Sequence, residues 1–191
     1  MIDIFINYRK DDSAASAELI DKSMCDRFGA DRVFRDCRSM EPGAMFTKEL
    51  EIALRQSRVM LSVIGPQWLS LADSSGRPRI ENPKDILRLE LKRAFNWHIT
   101  VIPVLVGGAK LPRMDELPDD IKALNTQQYV EIRHRYVEND TKPLIEAVAR
   151  RLGGGKQANE ATGGSDATRQ IRVKGNRNII GDHTTYNEWN S

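Results

Sequence analysis

The chain has 191 residues, 40% of them apolar and 29% charged, with a net charge of +2. This balance excludes a disordered chain and a field strong enough to capture nucleic acid or an anionic membrane surface. No apolar run approaches the roughly 20 residues of a membrane-spanning helix, and two cysteines, Cys25 and Cys37, build neither a disulfide framework nor a metal quartet.

The opening MIDIFINYRKDD lacks the basic, apolar and small-residue order of a signal peptide. A cytoplasmic protein with free thiols is therefore expected. Residues 2–7 form a β-rich run. Helical spacing follows, with Ala14, Ala17, Ile20, Met24 and Phe28 recurring at three or four, Asp12 or Ser13 as the cap and Gly29 as the stop. RVFRD reads as a second strand and leads into the polar loop RDCRSMEPGAMF. A helix is predicted from about Ala44 to Gln56, then a third strand, RVMLSVIG. After the irregular segment 66–83, Pro83 opens another helix. ITVIPVLV is the fourth strand, a Pro/Gly-rich loop crosses 107–120, a short strand lies around QQYVEI, and a last helix covers Thr141 to Leu152.

Strand and helix alternate five times, and the strands are mostly continuous apolar runs. That pattern predicts an α/β, flavodoxin-like, doubly wound sandwich around a five-stranded parallel sheet, with its site at the carboxyl ends of the strands. Composition breaks after Leu152. Residues 1–152 are predicted to be the domain and 153–168 a flexible linker. Residues 169–191 alternate Ile171, Val173, Ile179 and Ile180 around the turn-prone KGNRN. This tail reads either as disordered or as a short hairpin that pairs with copies of itself, a candidate oligomerisation element.

One residue breaks the pattern of its element. At about 100° per residue, Ile86, Leu87, Leu91, Ala94 and Phe95 share one half of the helix after Pro83, and Glu90 falls inside that apolar arc. A carboxylate there either pairs with a neighbour such as Arg93 or serves a site. Arg88 lies off the arc and is expected to be exposed.

Four segments in order, IFINYRKDD, VFRDCRSMEPG with its Pro42–Gly43 turn, DILRLELKRA and VIPVLVGGAKLP, resemble the motifs of a Toll/interleukin receptor (TIR) domain of the bacterial, NAD-consuming type. The resemblance covers residues 1–152. It implies an NAD+ glycohydrolase or cyclase that cleaves the nicotinamide–ribose bond, with NAD+ as substrate rather than cofactor and Glu90 as the catalytic carboxylate. It also implies activation by homo-oligomeric assembly through the loop Arg35 to Gly43 (the BB loop), which the tail could support. The implied setting is immune, anti-phage signalling. Two alternatives stay open: a non-enzymatic TIR–TIR interaction module, and an enzyme similar to nucleoside deoxyribosyltransferases.

Candidate substrate-binding residues are Phe5, Tyr8 and Arg9 after the first strand, Arg35 and Asp36 at the start of the loop, and Trp68. Each has a plain structural counterpart: core packing for Phe5, a solvated charge for Arg9, a turn salt bridge for Arg35 and Asp36, a plug at the sheet end for Trp68. The aromatic that commonly precedes the family's glutamate by one turn is here Ile86, which leaves open whether Trp68, Trp97 or neither supplies a stacking surface. Asn7 and the VIG at 63–65 stand where a phospho-receiver needs carboxylates. GGGK at 153–156 has no phosphate-loop frame, and no G-x-G-x-x-G follows the first strand. His98, His134 and His183 show no ligand spacing, so no metal is expected.

Overall fold

The computed structural model describes residues 1–35, 48–133 and 137–153. Within them lie five strands, β1 (Ile4–Asn7), β2 (Val33–Arg35), β3 (Val59–Ile64), β4 (Thr100–Val106) and β5 (Val130–Ile132). Four α-helices accompany them: α1 (Lys10–Phe28), α2 (Lys48–Gln56), α3 (Ile86–Asn96) and α4 (Val137–Arg151). All strand pairs are parallel, in the order β2-β1-β3-β4-β5. This is the flavodoxin-like order, and the expected fold class holds. The chain reverses its direction of progress between β1 and β3, the switch point beside which ligands bind in sheets of this order.

Side-chain alternation sorts the strands onto two cores. Ile4, Ile6, Leu61, Val63, Ile102 and Val104 meet α1 and α4 through Ala17, Ile20, Met24, Leu144 and Val148. Phe5, Met60, Ile64, Val101 and Leu105 face the other way, against Leu50 and Leu54 of α2 and Leu87, Leu91 and Ala94 of α3. Both faces are dry, which is why the strands read as unbroken apolar runs. Two polar residues, Asn7 and Ser62, interrupt the face under α3. They are register partners on adjacent strands and both are buried.

Several element ends differ from the sequence-based expectation. Helix α1 starts at Lys10 with Arg9 as its N-cap, ahead of the predicted Asp12 or Ser13, and kinks at Ser13, whose backbone leaves the helical range (φ −135°, ψ 20°). Asp12 is used elsewhere: its carboxylate accepts hydrogen bonds from the backbone of Gly65 (2.9 Å) and Gln67 (2.8 Å) in the loop after β3. Gly29, at φ 98°, does end α1. Helix α3 starts after Asp85, whose side chain accepts from the Arg88 N–H. Pro83 lies outside the helix, because a carboxylate cap outcompetes a proline start here. The stretch taken as loop before β5 contains a 3-10 helix, Asp119–Thr126, that buries Ile121 and Leu124 over the α3 face of the sheet. Helix α4 begins four residues earlier than predicted and carries Pro143 in its second turn. The predicted start of α2 at Ala44, Asp36, most of the Pro-Gly loop, and the tail from residue 154 lie outside the described residues.

Candidate functional site

Glu90 is 4% exposed. Its Oε2 accepts a hydrogen bond of 2.6 Å from Nδ2 of Asn7. The same amide nitrogen lies 3.3 Å from the carbonyl oxygen of Leu87, one turn earlier on α3. The other end of the amide, Oδ1, accepts from Ser62 Oγ at 3.1 Å. A chain of polar contacts thus runs from β3 through β1 to α3 across the point where the sheet reverses. Arg93, the neighbour offered as a plain partner for Glu90, reaches Glu51 (3.8 Å), and the adjacent Lys92 reaches Asp120 (3.4 Å). At 2.6 Å, the contact between a carboxylate and an amide donor is short and charge-assisted. Burial in this apolar face strengthens it further.

A second polar cluster abuts the first. Arg9 is 3% exposed and grips Asp85 with both terminal nitrogens, at 3.0 and 3.2 Å. Its Nε donates to the carbonyl of Trp68 at 3.2 Å, and its guanidinium stands 5.9 Å from the Trp68 ring centroid. Arg79 adds a longer contact to Asp85, 3.7 Å, and one to Asp11, 3.4 Å. Arg9 is therefore neither a solvated charge nor a side chain pointing into open space. Its fork is filled by a carboxylate from α3's cap.

The other predicted residues divide by the strand alternation. Phe5 has no exposed surface and stacks on Phe34 at 5.3 Å, so it is a core residue and not a border of the crevice. Tyr8, half-buried, packs with the α1/α4 core, on the opposite face from Glu90. Arg35 pairs with Asp21 of α1 at 3.1 Å. Trp68 is 1% exposed and its Nε1 has no acceptor among the described residues. It forms part of the wall of a cavity of about 480 Å³ between the loops after β3 and β4, shared with Leu69, Lys110, Leu111 and Arg113. Glu90 does not line that cavity. Arg88, expected to be exposed, instead bonds Asp120 (2.9 Å) and the carbonyls of Ile80 and Glu81, tying the irregular segment to α3. Burial, then the neighbouring Asp21 carboxylate, push the Cys25 thiol upward, which suits an inert side chain. Among the described residues no group of acidic, His or Cys side chains could hold a metal ion, and no helix is long and apolar enough to cross a membrane.

Sequence reasoning singled out Glu90 and missed its partners. Asn7 had entered only as the residue that rules out a phospho-receiver. The signal was available, because period two places Asn7 on the same face as Phe5, at the end of a strand and below a helix.

Comparison with known proteins agrees with this fold. A family model described as the TIR domain matches residues 4–148. A curated relative, the NAD(+) hydrolase sarm1 of Drosophila melanogaster, is 24% identical over 123 residues, which is 64% of this chain and 8% of that protein. The chain thus spans under a tenth of that relative's length. Among solved structures, the TIR domains of the activated Roq1 resistosome recognising the pathogen effector XopQ superpose with a TM-score of 0.56 at 13% identity. That match covers 80% of this chain and 99% of the other. A TIR-STING receptor from C. gigas in complex with 2',3'-cGAMP gives 0.50 at 21% identity, over 76% and 38% of the two chains. Both likenesses establish the five-stranded parallel fold.

Proposed function

Because the chain belongs to the TIR-domain family, we propose that it is an NAD+ glycohydrolase or cyclase in which Glu90 is the catalytic carboxylate. The observation that carries this reading is a carboxylate held 2.6 Å from Asn7, on an otherwise apolar helix face, at the reversal point of the sheet. The relationship to a protein named as an NAD(+) hydrolase supports the choice of substrate. The chemistry asks little of the protein beyond such a group. In NAD+ the nicotinamide ring is already cationic. When the C1′–N bond breaks, its electron pair leaves with the ring, which departs neutral and needs no proton. The positive charge passes to the ribose, and a fixed carboxylate beside it stabilises the oxocarbenium-like state. Water adding at C1′ gives ADP-ribose and a proton; a nucleophile from the adenosine half gives a cyclic isomer.

Glu90 is buried in the single chain, so the reading includes assembly: the loop Arg35 to Gly43 of an adjoining copy contributes to the site. We place the activity in immune signalling of the anti-phage kind. The test is nicotinamide release from NAD+ by purified protein at high concentration, for the wild type and for Glu90→Gln. The amide keeps the shape and removes the charge. Expected is a loss of about a hundredfold to a thousandfold in turnover, the range for removing one preorganised electrostatic contact, with an unchanged circular dichroism spectrum. Equal turnover in both proteins would remove Glu90 from the catalytic role, and none in either would favour a scaffold that works by contact alone.

A further inference from the structure

Helix α3 is fastened to the end of β1 at two points. Asn7, the last residue of β1, donates to Glu90 and to the Leu87 carbonyl. Arg9, two residues on, holds Asp85, the residue that caps the first turn of the same helix. The partners are separated by 83 and 76 residues in the chain, so this proximity is made entirely by tertiary structure. An α-helix rises about 1.5 Å per residue and is stiff over two turns. Contacts at Asp85 and at Leu87 and Glu90 therefore fix both its translation along the crevice and its rotation about its own axis. One point alone would leave the rotation open.

We propose that Arg9 and Asp85 form a positioning clamp that holds α3 in the register placing Glu90 against Asn7, and that Arg9 acts through this pair rather than by touching substrate. The inference rests on the reading of Glu90 as the catalytic carboxylate, and it replaces the expectation that Arg9 borders the nucleotide. Three observations argue for it. Both side chains are buried, at 2% and 4% exposure. The fork is bidentate, which constrains angle as well as distance. The third guanidinium contact, to the Trp68 carbonyl, ties the clamp to the loop after β3, so the ends of β1 and β3 and the start of α3 meet in one group.

Asp85→Asn separates the two duties of Asp85. Asparagine caps a helix as well as aspartate does, so the bond from Arg88 N–H remains while the charge opposite Arg9 is lost. The expected result is a fall in kcat of about a hundredfold, the scale of a misplacement near 1 Å, with KM within about twofold of wild type. Arg9 left buried without its counter-charge could unfold the chain. The double variant Arg9→Met, Asp85→Asn removes both charges and should melt close to wild type while keeping the low kcat. A role in stability alone predicts the opposite, full activity once the fold is restored. In both variants the side-chain amide signals of Asn7 in a nitrogen-labelled NMR spectrum should shift, because they report the bond to Glu90. Wild-type kcat in the folded double variant overturns the clamp, and a raised KM at unchanged kcat shows that Arg9 binds substrate. If wild type and Glu90→Gln both release no nicotinamide, the enzymatic reading fails by itself. The clamp is then decided by the Asn7 amide, and an unshifted signal in the double variant overturns it.

Discussion

At the scale of single residues, the sharpest test of the site is Asn7, whose amide serves α3 and β3 at once. Asn7→Asp changes almost no volume but replaces a donor with a second carboxylate facing Glu90. Two carboxylates at such a distance cannot both ionise cheaply, so one stays protonated well above its ordinary range. A carboxyl whose pKa is raised by folding binds more protons in the native state than in the unfolded one. Its cost is absent below the unfolded pKa, about 4, and grows as pH rises towards the folded value. Asn7→Asp should thus be near wild type in stability around pH 4 and clearly weaker at pH 7. Urea denaturation at the two values measures this, and a constant difference would show that the two groups do not interact. Legibility at this scale follows the range of the interaction. Glu90 stood out because its helix alone supplies the apolar arc around it. Arg9 looked like a ligand or a solvated charge because its counter-ion, Asp85, is distant in the chain and no local pattern announces the pair.

At the scale of elements, the loop between β3 and α3 shows how one side chain can organise a connection. The carboxylate of Asp12, on α1, receives the backbone N–H groups of Gly65 and Gln67. A Cβ built on Gly65 would overlap that carboxylate. Gly65→Ala should therefore displace the loop that carries Trp68 and cost about 1–3 kcal/mol, the usual range for overpacking. A shift of the urea midpoint together with Trp fluorescence would register both effects, and an unchanged midpoint would mean that Asp12 swings away freely. The junction of β5 and α4 is electrostatic instead. The Arg133 guanidinium and its backbone N–H, at 2.8–3.0 Å, hold the Asp140 carboxyl down to about 2. A lowered carboxyl contributes stability above its unfolded pKa, about 3.9, that is lost as pH falls through the folded one. Wild type should exceed Asp140→Asn in thermal stability at pH 5, with the gap closing by about pH 2; a gap independent of pH would leave the ion pair without effect. The strands were legible because each is a dry apolar run. The 3-10 helix at 119–126 was not, since Ile121 and Leu124 are too few to set a period and the flanking prolines and aspartates read as loop.

At the scale of the whole molecule, the alternation of strand and helix was enough to anticipate a parallel sheet, and parallel crossovers leave few arrangements for five strands. The order β2-β1-β3-β4-β5 then favours a site at the reversal between β1 and β3, the switch point of such a sheet. What the sequence cannot yield by pattern is how the last helix of the domain is held at its end. The structure supplies one contact there. Arg58, just before β3, donates to the carbonyls of Arg151 (3.2 Å) and Leu152 (2.9 Å), the last turn of α4. Carbonyls at a helix end need partners, and here the domain provides them from the amino edge of its own sheet. Gly153 then takes φ 89°, a left-handed conformation that ends the helix. Among the described residues, moreover, α4 and the turn after it already reach the core through Leu144, Val148 and Leu152. A chain cut after Gly153 should accordingly keep its helical circular dichroism and melt within a few degrees of the full chain, while light scattering shows a smaller assembly. Arg58→Ala in the shortened chain should then fray the last turn of α4 and lower the melting temperature, since no other described side chain meets those two carbonyls. A shortened chain that fails to fold would place the boundary later than Gly153, and one that folds with unchanged assembly would remove residues 154–191 from any account of how copies of the domain come together.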